Sequence, residues 1–399
     1  MTQTRPHVPF SLGLAKGEWV TVRSRDEILA TLDDQGKLDG LPFMPEMLEY
    51  CGRRLYVGRS AHKTCDTIRT YVNRRMHDAV HLDGVNCSGS GHDGCGALCP
   101  IFWKEAWLRR DPDTASGFAR QFRSVLLRRR RTAAQTHHGC TLEQVTASAL
   151  LRHADGSVKY SCQATQLREA TSQIPRLDPR PYLHDLLSGN VSGLQMLRGG
   201  FFAFLRWTFG IGPGRRVKQT VYAWLQRCLN GPPIAGEFGT LEKTPAATLD
   251  LHPGEWIRVK PYVEIVKTLN RSQRNRGMWF DNEMLPYCGE RHQVLARVDR
   301  LIDEKTGLML LIKNDCIVLR DVICRGECSA GRMFCPRRLY PFWREIWLER
   351  CAPPPSSIES PMSGQLVNHA GASRTPPGQL TRTWSPASTV RALDAGPDP

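Results

Sequence analysis

Two stretches of this sequence repeat each other at a constant spacing of 237 residues. Residues 17–52 and 254–289 align without a gap and are identical at 16 of 36 positions. After a three-residue shift, the match resumes between Phe102-Trp103 and Phe342-Trp343. A repeat of this length predicts that both copies share one architecture.

The repeat divides the chain into five predicted parts. We expect homologous domains at 17–110 and 254–350 and a basic, mixed segment between them at 111–253. A flexible stretch at 1–16 precedes them, and a disordered tail rich in Pro, Ser and Ala follows at 351–399. The five parts are named below by these ranges, and the two domains are called the first and second copy.

Each copy combines short strands with short helices. An alternating strand opens each copy at Trp19 or Trp256, and a helical pattern follows it. A last helix is predicted to carry Trp103 and Trp107, or Trp343 and Trp347, as core residues. The predicted fold class is therefore α+β, with two homologous small domains and an SH3-like barrel plus helices as the candidate build of each.

The positive charge points to acidic partners. The chain has 54 Lys and Arg against 39 Asp and Glu, a net charge of +15. Segment 111–253 has 18 basic and 10 acidic residues and includes the run Arg128–Arg131. This balance suits a nucleic acid or an acidic protein as partner, and an Arg-rich background composition is the alternative.

Membrane and secretory signals are weak in this sequence. No apolar run reaches the roughly 18 residues of a membrane-spanning helix. The first residues lack a signal-peptide pattern, so we expect a cytoplasmic location. Phe201–Phe209 with Arg215, Arg216 and Lys218 suits an interfacial helix on a membrane surface, although a buried core helix is the favoured alternative.

Fourteen cysteines, most of them clustered, favour metal binding over disulfides in a reducing compartment. In the first copy, Cys87, His92, Cys95 and Cys99 lie within 13 residues, and glycines between them allow tight turns. Cys65 is an additional candidate ligand from a neighbouring strand. Such spacings suit the tetrahedral N and S coordination of zinc.

The second copy has a corresponding cluster. Cys316, Cys324, Cys328 and Cys335 form a four-thiolate set, and Cys87 and Cys324 occupy matching positions. We predict about two structural zinc ions per chain, one in each copy. The alternative is that these cysteines are small buried apolar residues.

An enzyme is the second hypothesis. It would use an open metal site in the first copy, with His62 or His92 as ligand and Asp93 or Asp66 as proton carrier. The sequence lacks the phosphate-binding, dinucleotide-binding, zinc-protease and serine-hydrolase motifs, which argues against the common enzyme classes.

Two resemblances add to this interpretation. Pro253-Gly254-Glu-Trp-Ile-Arg-Val-Lys resembles the first strand of SH3-like modules of the KOW type, which are found in transcription and translation proteins. This resemblance implies a nucleic acid as partner. The paired Tyr-Cys-Gly and Cys-Pro segments resemble a family of uncharacterised bacterial proteins with a duplicated Cys-rich domain. That second resemblance implies no particular activity.

Overall fold

The computed structural model describes residues 11–111, 139–152, 156–175, 178–209 and 215–353. The run Arg128–Arg131 and the tail beyond residue 353 lie outside these ranges. The described residues mix helices and strands, which confirms the α+β class.

The helices and strands of the described chain are short. Its α-helices are α1 Arg25–Leu29, α2 Leu142–Ser148, α3 Arg180–Leu187, α4 Gly193–Phe209, α5 Arg215–Cys228 and α6 Tyr262–Ile265. Its strands up to residue 253 are β1 Trp19–Val22, β2 Lys37–Leu38, β3 Leu41–Pro42, β4 Arg54–Ser60, β5 Lys63–Cys65, β6 Asn73–Arg75, β7 Ala79–Leu82, β8 Trp103–Lys104, β9 Leu108–Arg110, β10 Leu150–Arg152, β11 Val158–Tyr160 and β12 Ser172–Gln173. The later strands are β13 Trp256–Val259, β14 Arg274–Asn275, β15 Met278–Trp279, β16 Arg291–Arg297, β17 Arg300–Ile302, β18 Met309–Leu311, β19 Ile317–Leu319 and β20 Leu348–Arg350.

The central sheets of the two copies share the order and register of four strands, and the first sheet has β8 as a fifth. The first has the order β8-β7-β4-β1-β9, and the second has the order β19-β16-β13-β20. Trp19 pairs with Tyr56 in the first sheet, and Trp256 pairs with Gln293 in the second, so both partners are offset by 237. Neither strand order closes into a ring, so the described residues do not form the predicted SH3-like barrel.

The tryptophans that end each copy are core residues, as predicted, but they do not lie on a helix. Trp103, Trp107, Trp343 and Trp347 are fully buried. Trp103 lies on strand β8, and Trp107 ends the 3₁₀ turn Glu105–Trp107. Because the chain bends at this turn, residues four apart face one core without a helix.

The two copies exchange contacts reciprocally. The loop 87–99 of the first copy meets the β17–β18 hairpin of the second, where Gly96 N donates to Arg300 O at 2.9 Å. The loop 324–335 of the second copy meets the β5–β6 hairpin of the first, where Lys63 Nζ and Asn73 Nδ2 donate to Met333 O. Both copies lie within one compact unit that extends to Cys351.

Segment 111–253 contributes helices α2 to α5 and the hairpin β10–β11. The strands of this hairpin pair antiparallel, with Leu150 opposite Tyr160. Helix α4 contacts the loop 324–335, because Arg206 Nη1 donates to Cys328 O at 2.8 Å. No described helix combines the length and hydrophobicity that a membrane crossing requires.

Candidate metal centre

The cysteine-rich loop of the first copy is closed by its own backbone. Cys87 N donates to Cys99 O at 2.8 Å, so the two ends of the loop meet. Gly89 has φ of +72°, and a Cβ there would lie 2.1 Å from the carbonyl oxygen of Cys95. Only glycine fits this position, which explains why the loop folds back on itself.

A carboxylate from another element completes this site. The 3₁₀ helix Pro45–Tyr50 begins with proline in its first turn and directs Glu46 inward, where it is 7% exposed. A Cβ on Gly91 would lie 2.4 Å from Glu46 Oε2, so the loop backbone approaches the carboxylate closely. Glycine at this second position therefore lets the loop cover Glu46.

Three donor groups of different chemistry meet around Glu46. Its Oε1 lies 3.0 Å from Cys87 Sγ and 3.1 Å from His92 Nδ1. One donor atom from each residue lies within 4.8 Å of the other two. Carboxylate oxygen, thiolate sulfur and imidazole nitrogen are the three ligand types that zinc takes in proteins.

The hydrogen bonds around this triad suit a metal ligand set. His92 Nε2 lies 3.4 Å from Ser161 O, so with a metal bound the proton would stay on Nε2 and the Nδ1 lone pair would be free to coordinate. Glu46 Oε2 is buried and has no hydrogen-bond partner. An orphaned carboxylate oxygen at this depth carries a desolvation penalty that a bound cation would offset.

The pKa values of the apo site describe a carboxylate beside neutral thiols. Burial alone would raise the pKa of Glu46, but the hydrogen bond and charge of His92 lower it below its ordinary value. Burial and the negative charge of Glu46 raise the pKa of the Cys87 thiol far above its usual range. A bound divalent cation would lower the pKa of the Cys87 thiol again, because it stabilises the thiolate.

A small cavity beside the triad gathers the other predicted ligands of the first copy. Cys87, His92, Cys95 and Cys99 all line it, together with Cys162 from segment 111–253. Burial raises the pKa of the Cys99 thiol to about 12. Four of the five predicted residues of this copy therefore share one cavity.

The fifth predicted residue, Cys65, lies in the cluster of the other copy. Its interaction with the Cys335 thiol, together with burial, raises the pKa of Cys65, whereas the same interaction lowers the pKa of Cys335 against the effect of burial. The charge of Cys65 also acts on Cys324. Strand β5 of the first copy thus brings a thiol to the second-copy loop.

The remaining second-copy residues are more dispersed. Cys316 packs with Val298 and Val318 rather than in the loop 324–335. Cys328 N donates to Glu283 Oε1 at 2.9 Å, so a carboxylate that matches Glu46 is occupied by backbone N–H groups. In the described residues, a compact triad of donors forms only at Glu46, Cys87 and His92.

Sequence reasoning missed two participants of the first site. Glu46 and Cys162 lie outside the ligand sets predicted from cysteine and histidine spacing. The repetition of Glu46 at Glu283 is the signal that the sequence offers for the first of them.

Comparison with known protein families, with curated proteins and with solved structures finds no match. The assignment of a function therefore depends on the geometry of the site.

Proposed function

We propose that this chain is a zinc-stabilised binding protein whose metal is held by Glu46, Cys87 and His92. The observation that carries the proposal is the convergence of these three donors within 4.8 Å around an orphaned carboxylate oxygen. The metal would tie the loop 87–99 to the core of the first copy. Binding energy at such a site is folding energy, because the ligands come from separate parts of the chain.

We propose a closed site whose fourth ligand is one of the thiols that line the adjacent cavity. Cys95 and Cys99 are the candidates from the same loop, and Cys162 is the candidate from segment 111–253. Four protein ligands are typical of structural zinc, whereas three ligands and a water are typical of catalytic zinc. The cavity thiols therefore favour a structural role over the enzyme hypothesis.

X-ray absorption at the zinc edge tests this ligand count. A closed site gives sulfur at ~2.3 Å and nitrogen or oxygen at ~2.0–2.2 Å, with four protein ligands in total. One oxygen ligand that cyanide displaces would instead indicate an open, catalytic site and would support the enzyme hypothesis.

Nucleic acid is the proposed partner of the basic surface. The support is the charge of +15 and the excess of basic residues in segment 111–253. Phosphate contacts on duplex DNA reduce log affinity by ~0.9 per unit of log salt for each contact. Replacing Arg128–Arg131 with alanine should therefore flatten the salt dependence of DNA binding, and an unchanged slope would leave an acidic protein as the better partner.

An exposed apolar stripe on helix α4 favours a second candidate function, attachment to a membrane surface. The stripe consists of Leu194, Leu197, Phe201 and Phe204, which are 77, 74, 41 and 58% exposed. Phe202 and Leu205 of the same helix are buried, so the predicted core helix is only partly buried. Sedimentation with anionic vesicles, compared between the wild type and Leu197→Ser, distinguishes this function from nucleic-acid binding.

We also propose that residues 17–110 and 254–350 are homologous copies of one small α+β domain. The matched strand registers at an offset of 237 support this proposal. The reciprocal exchange of loops and hairpins explains why both would be needed in one chain.

A further inference from the structure

A second cavity lies in the first copy, away from the metal centre, at the carboxylate of Glu105. Residues of three elements line it, among them Ser60 on β4, Glu105 in the 3₁₀ turn and His184 on α3. Asp78 and His62 line it as well. The cavity belongs to neither of the cysteine clusters described above.

Glu105 and its counterpart in the second copy hold the same backbone segment in the same way. Glu105 accepts hydrogen bonds from the N–H groups of Leu12, Gly13 and Leu14. Glu345 accepts them from Leu249, Asp250 and Leu251, each offset by 237. The two carboxylates, which are 4% and 0% exposed, are therefore equivalent in position and partners.

Glu105 and Glu345 differ in the cation that lies beside the carboxylate. Arg297, at the end of β16, places its guanidinium Nη1 2.8 Å from Glu345 Oε1. The residue offset by 237 from Arg297 is Ser60, and the two hold the same register, since Ser60 pairs with Val80 and Arg297 with Ile317. Ser60 is too short to reach Glu105, and its hydroxyl hydrogen-bonds His184 Nε2 at 3.1 Å.

A second group in this cavity also requires a hydrogen-bond donor. His62 is 8% exposed, and its Nε2 lies 2.9 Å from Pro181 O and 3.4 Å from Asp185 Oδ1. Two acceptors at Nε2 assign the proton to that nitrogen, which leaves Nδ1 as an acceptor. His62 Nδ1 is buried and has no hydrogen-bond partner.

The basic residues at the cavity rim do not neutralise Glu105, because another carboxylate engages them. Arg75 and Arg180 both form ion pairs with Asp178, the latter at 2.8 Å. Asp78, which lines the same cavity, adds to the effect of burial in raising the pKa of Glu105. The cavity therefore presents acceptors and negative charge where the second copy holds an arginine.

We propose that this cavity is a binding site for a guanidinium cation, such as an arginine side chain or a small alkylguanidine. The ligand would occupy the place that Arg297 takes in the second copy and would donate hydrogen bonds to Glu105 and His62. The side chain of Arg297 thus shows how a guanidinium binds at this position of the second copy. In the first copy, a separate molecule would supply the guanidinium. A guanidinium is favoured because its planar fork donates in several directions to carboxylate and imidazole acceptors.

Calorimetric titration of the full chain with propylguanidinium chloride tests this site. We expect one saturable site with a Kd of about 1 mM or tighter, a range typical of a ligand this small. Propylurea, an uncharged analogue of the same shape, should bind at least about tenfold more weakly. Equal binding of the two compounds, or no saturable binding of propylguanidinium up to about 20 mM, would overturn the proposal.

Two serine-to-arginine variants locate the site. Ser60→Arg installs the second-copy arginine and should abolish the binding of propylguanidinium, whereas Ser272→Arg, which adds the same charge at an exposed position of the second copy, should leave it within about twofold of wild type. If Ser60→Arg does not fold, Glu105→Gln takes its place, with an expected loss of at least about tenfold in affinity. Wild-type affinity in a folded Ser60→Arg or Glu105→Gln variant would contradict the assignment to this cavity.

The reverse substitution gives an independent readout. Arg297→Ser removes the attached guanidinium and leaves Glu345 buried without its partner, so this variant should melt at a lower temperature. Propylguanidinium should raise its melting temperature by more than it raises that of Ser60→Arg. If propylguanidinium raised the melting temperatures of the two variants equally, the proposal would be contradicted, because binding would then not depend on a buried carboxylate that lacks its arginine.

Discussion

Carboxylates at equivalent positions of the two copies have different partners. Glu46 lies against a thiol and an imidazole, whereas Glu283 accepts backbone N–H groups of Glu327 and Cys328. Glu105 has Ser60 at the position from which Arg297 contacts Glu345. Glu46 Oε2 has no hydrogen-bond partner in the described residues, whereas both oxygens of Glu283 accept hydrogen bonds.

Glu105 should make stability depend on pH in a direction that is unusual for a carboxylate. Burial raises the pKa of Glu105 to about 7, above the ordinary value of 4.5. Between these pH values the folded state binds the proton more tightly than the unfolded chain, so the contribution of Glu105 to stability falls as pH rises from 4.5 to 7. The total change is about 3 kcal/mol.

The comparison of Glu105→Gln with wild type isolates this effect. The variant cannot titrate, so its loss of stability relative to wild type should shrink as pH rises from about 5 to 8. Urea unfolding at several pH values measures it. If the stability difference between Glu105→Gln and wild type stayed constant from about pH 5 to 8, the pKa of Glu105 would not be raised on folding.

The residues of the candidate metal centre could be predicted only in part. Closely spaced Cys and His residues identified Cys87 and His92, because local spacing reports on a local loop. Glu46 lies 41 residues from Cys87. The Glu46 side chain points into the core because of the way its 3₁₀ helix packs, and the sequence of one short helix does not reveal that packing.

At the scale of elements, the loop 87–99 requires glycine at position 89 for two reasons, and Gly84, just before the loop, meets only one of them. Gly89 has a positive φ and also leaves no room for a Cβ, whereas Gly84 has φ of +70° with nothing within 4 Å of a Cβ. The two positions therefore separate backbone strain from steric exclusion.

Gly89→Ala should destabilise the loop and weaken zinc binding, because the added methyl group would clash with the backbone of Cys95. Gly84→Ala is the matched control and should cost about 1 kcal/mol through φ alone. Chelator competition measures the zinc affinity of each variant. Equal zinc affinity in the two variants would mean that the loop conformation does not hold the metal ligands.

The predicted last helix shows where periodicity misleads. The spacing of Trp103 and Trp107 fits one helical turn, yet the chain forms a strand followed by a 3₁₀ turn. Lys104 and Glu105 between them are also buried, at 1% and 4% exposure. Buried charges at these positions are satisfied by distant partners, such as Asp39 for Lys104, which the local sequence does not reveal.

At the scale of the whole molecule, a buried arginine joins the two copies. Arg337 is 1% exposed, and its Nη2 lies 3.1 Å from Glu304 Oε1. Thr67 of the first copy donates to the same carboxylate, and Arg337 Nη1 lies 3.4 Å from Thr67 Oγ1. The repeat predicted two similar domains, but it could not predict that each would complete the loop region of the other.

Arg337→Ala should therefore destabilise the entire compact unit rather than the second copy alone. The expected loss is about 2–3 kcal/mol, because a partly buried carboxylate would lose its partner and a fully buried side chain would be removed. The neighbouring Arg338 is exposed, and Arg338→Ala should change stability by less than about 0.5 kcal/mol. A single shifted unfolding transition in Arg337→Ala supports the joined unit, and two separate transitions would contradict it.

The zinc content of purified, reduced protein tests the central proposal most directly. Elemental analysis should find at least about one zinc ion per chain, and Cys87→Ser and His92→Ala should each lose about one, since a site of this kind needs every ligand. Cys51→Ser, which alters a half-buried thiol in the same copy, should retain the wild-type content. Less than about 0.3 zinc per wild-type chain, or a Cys87→Ser variant with undiminished zinc, would contradict the metal centre.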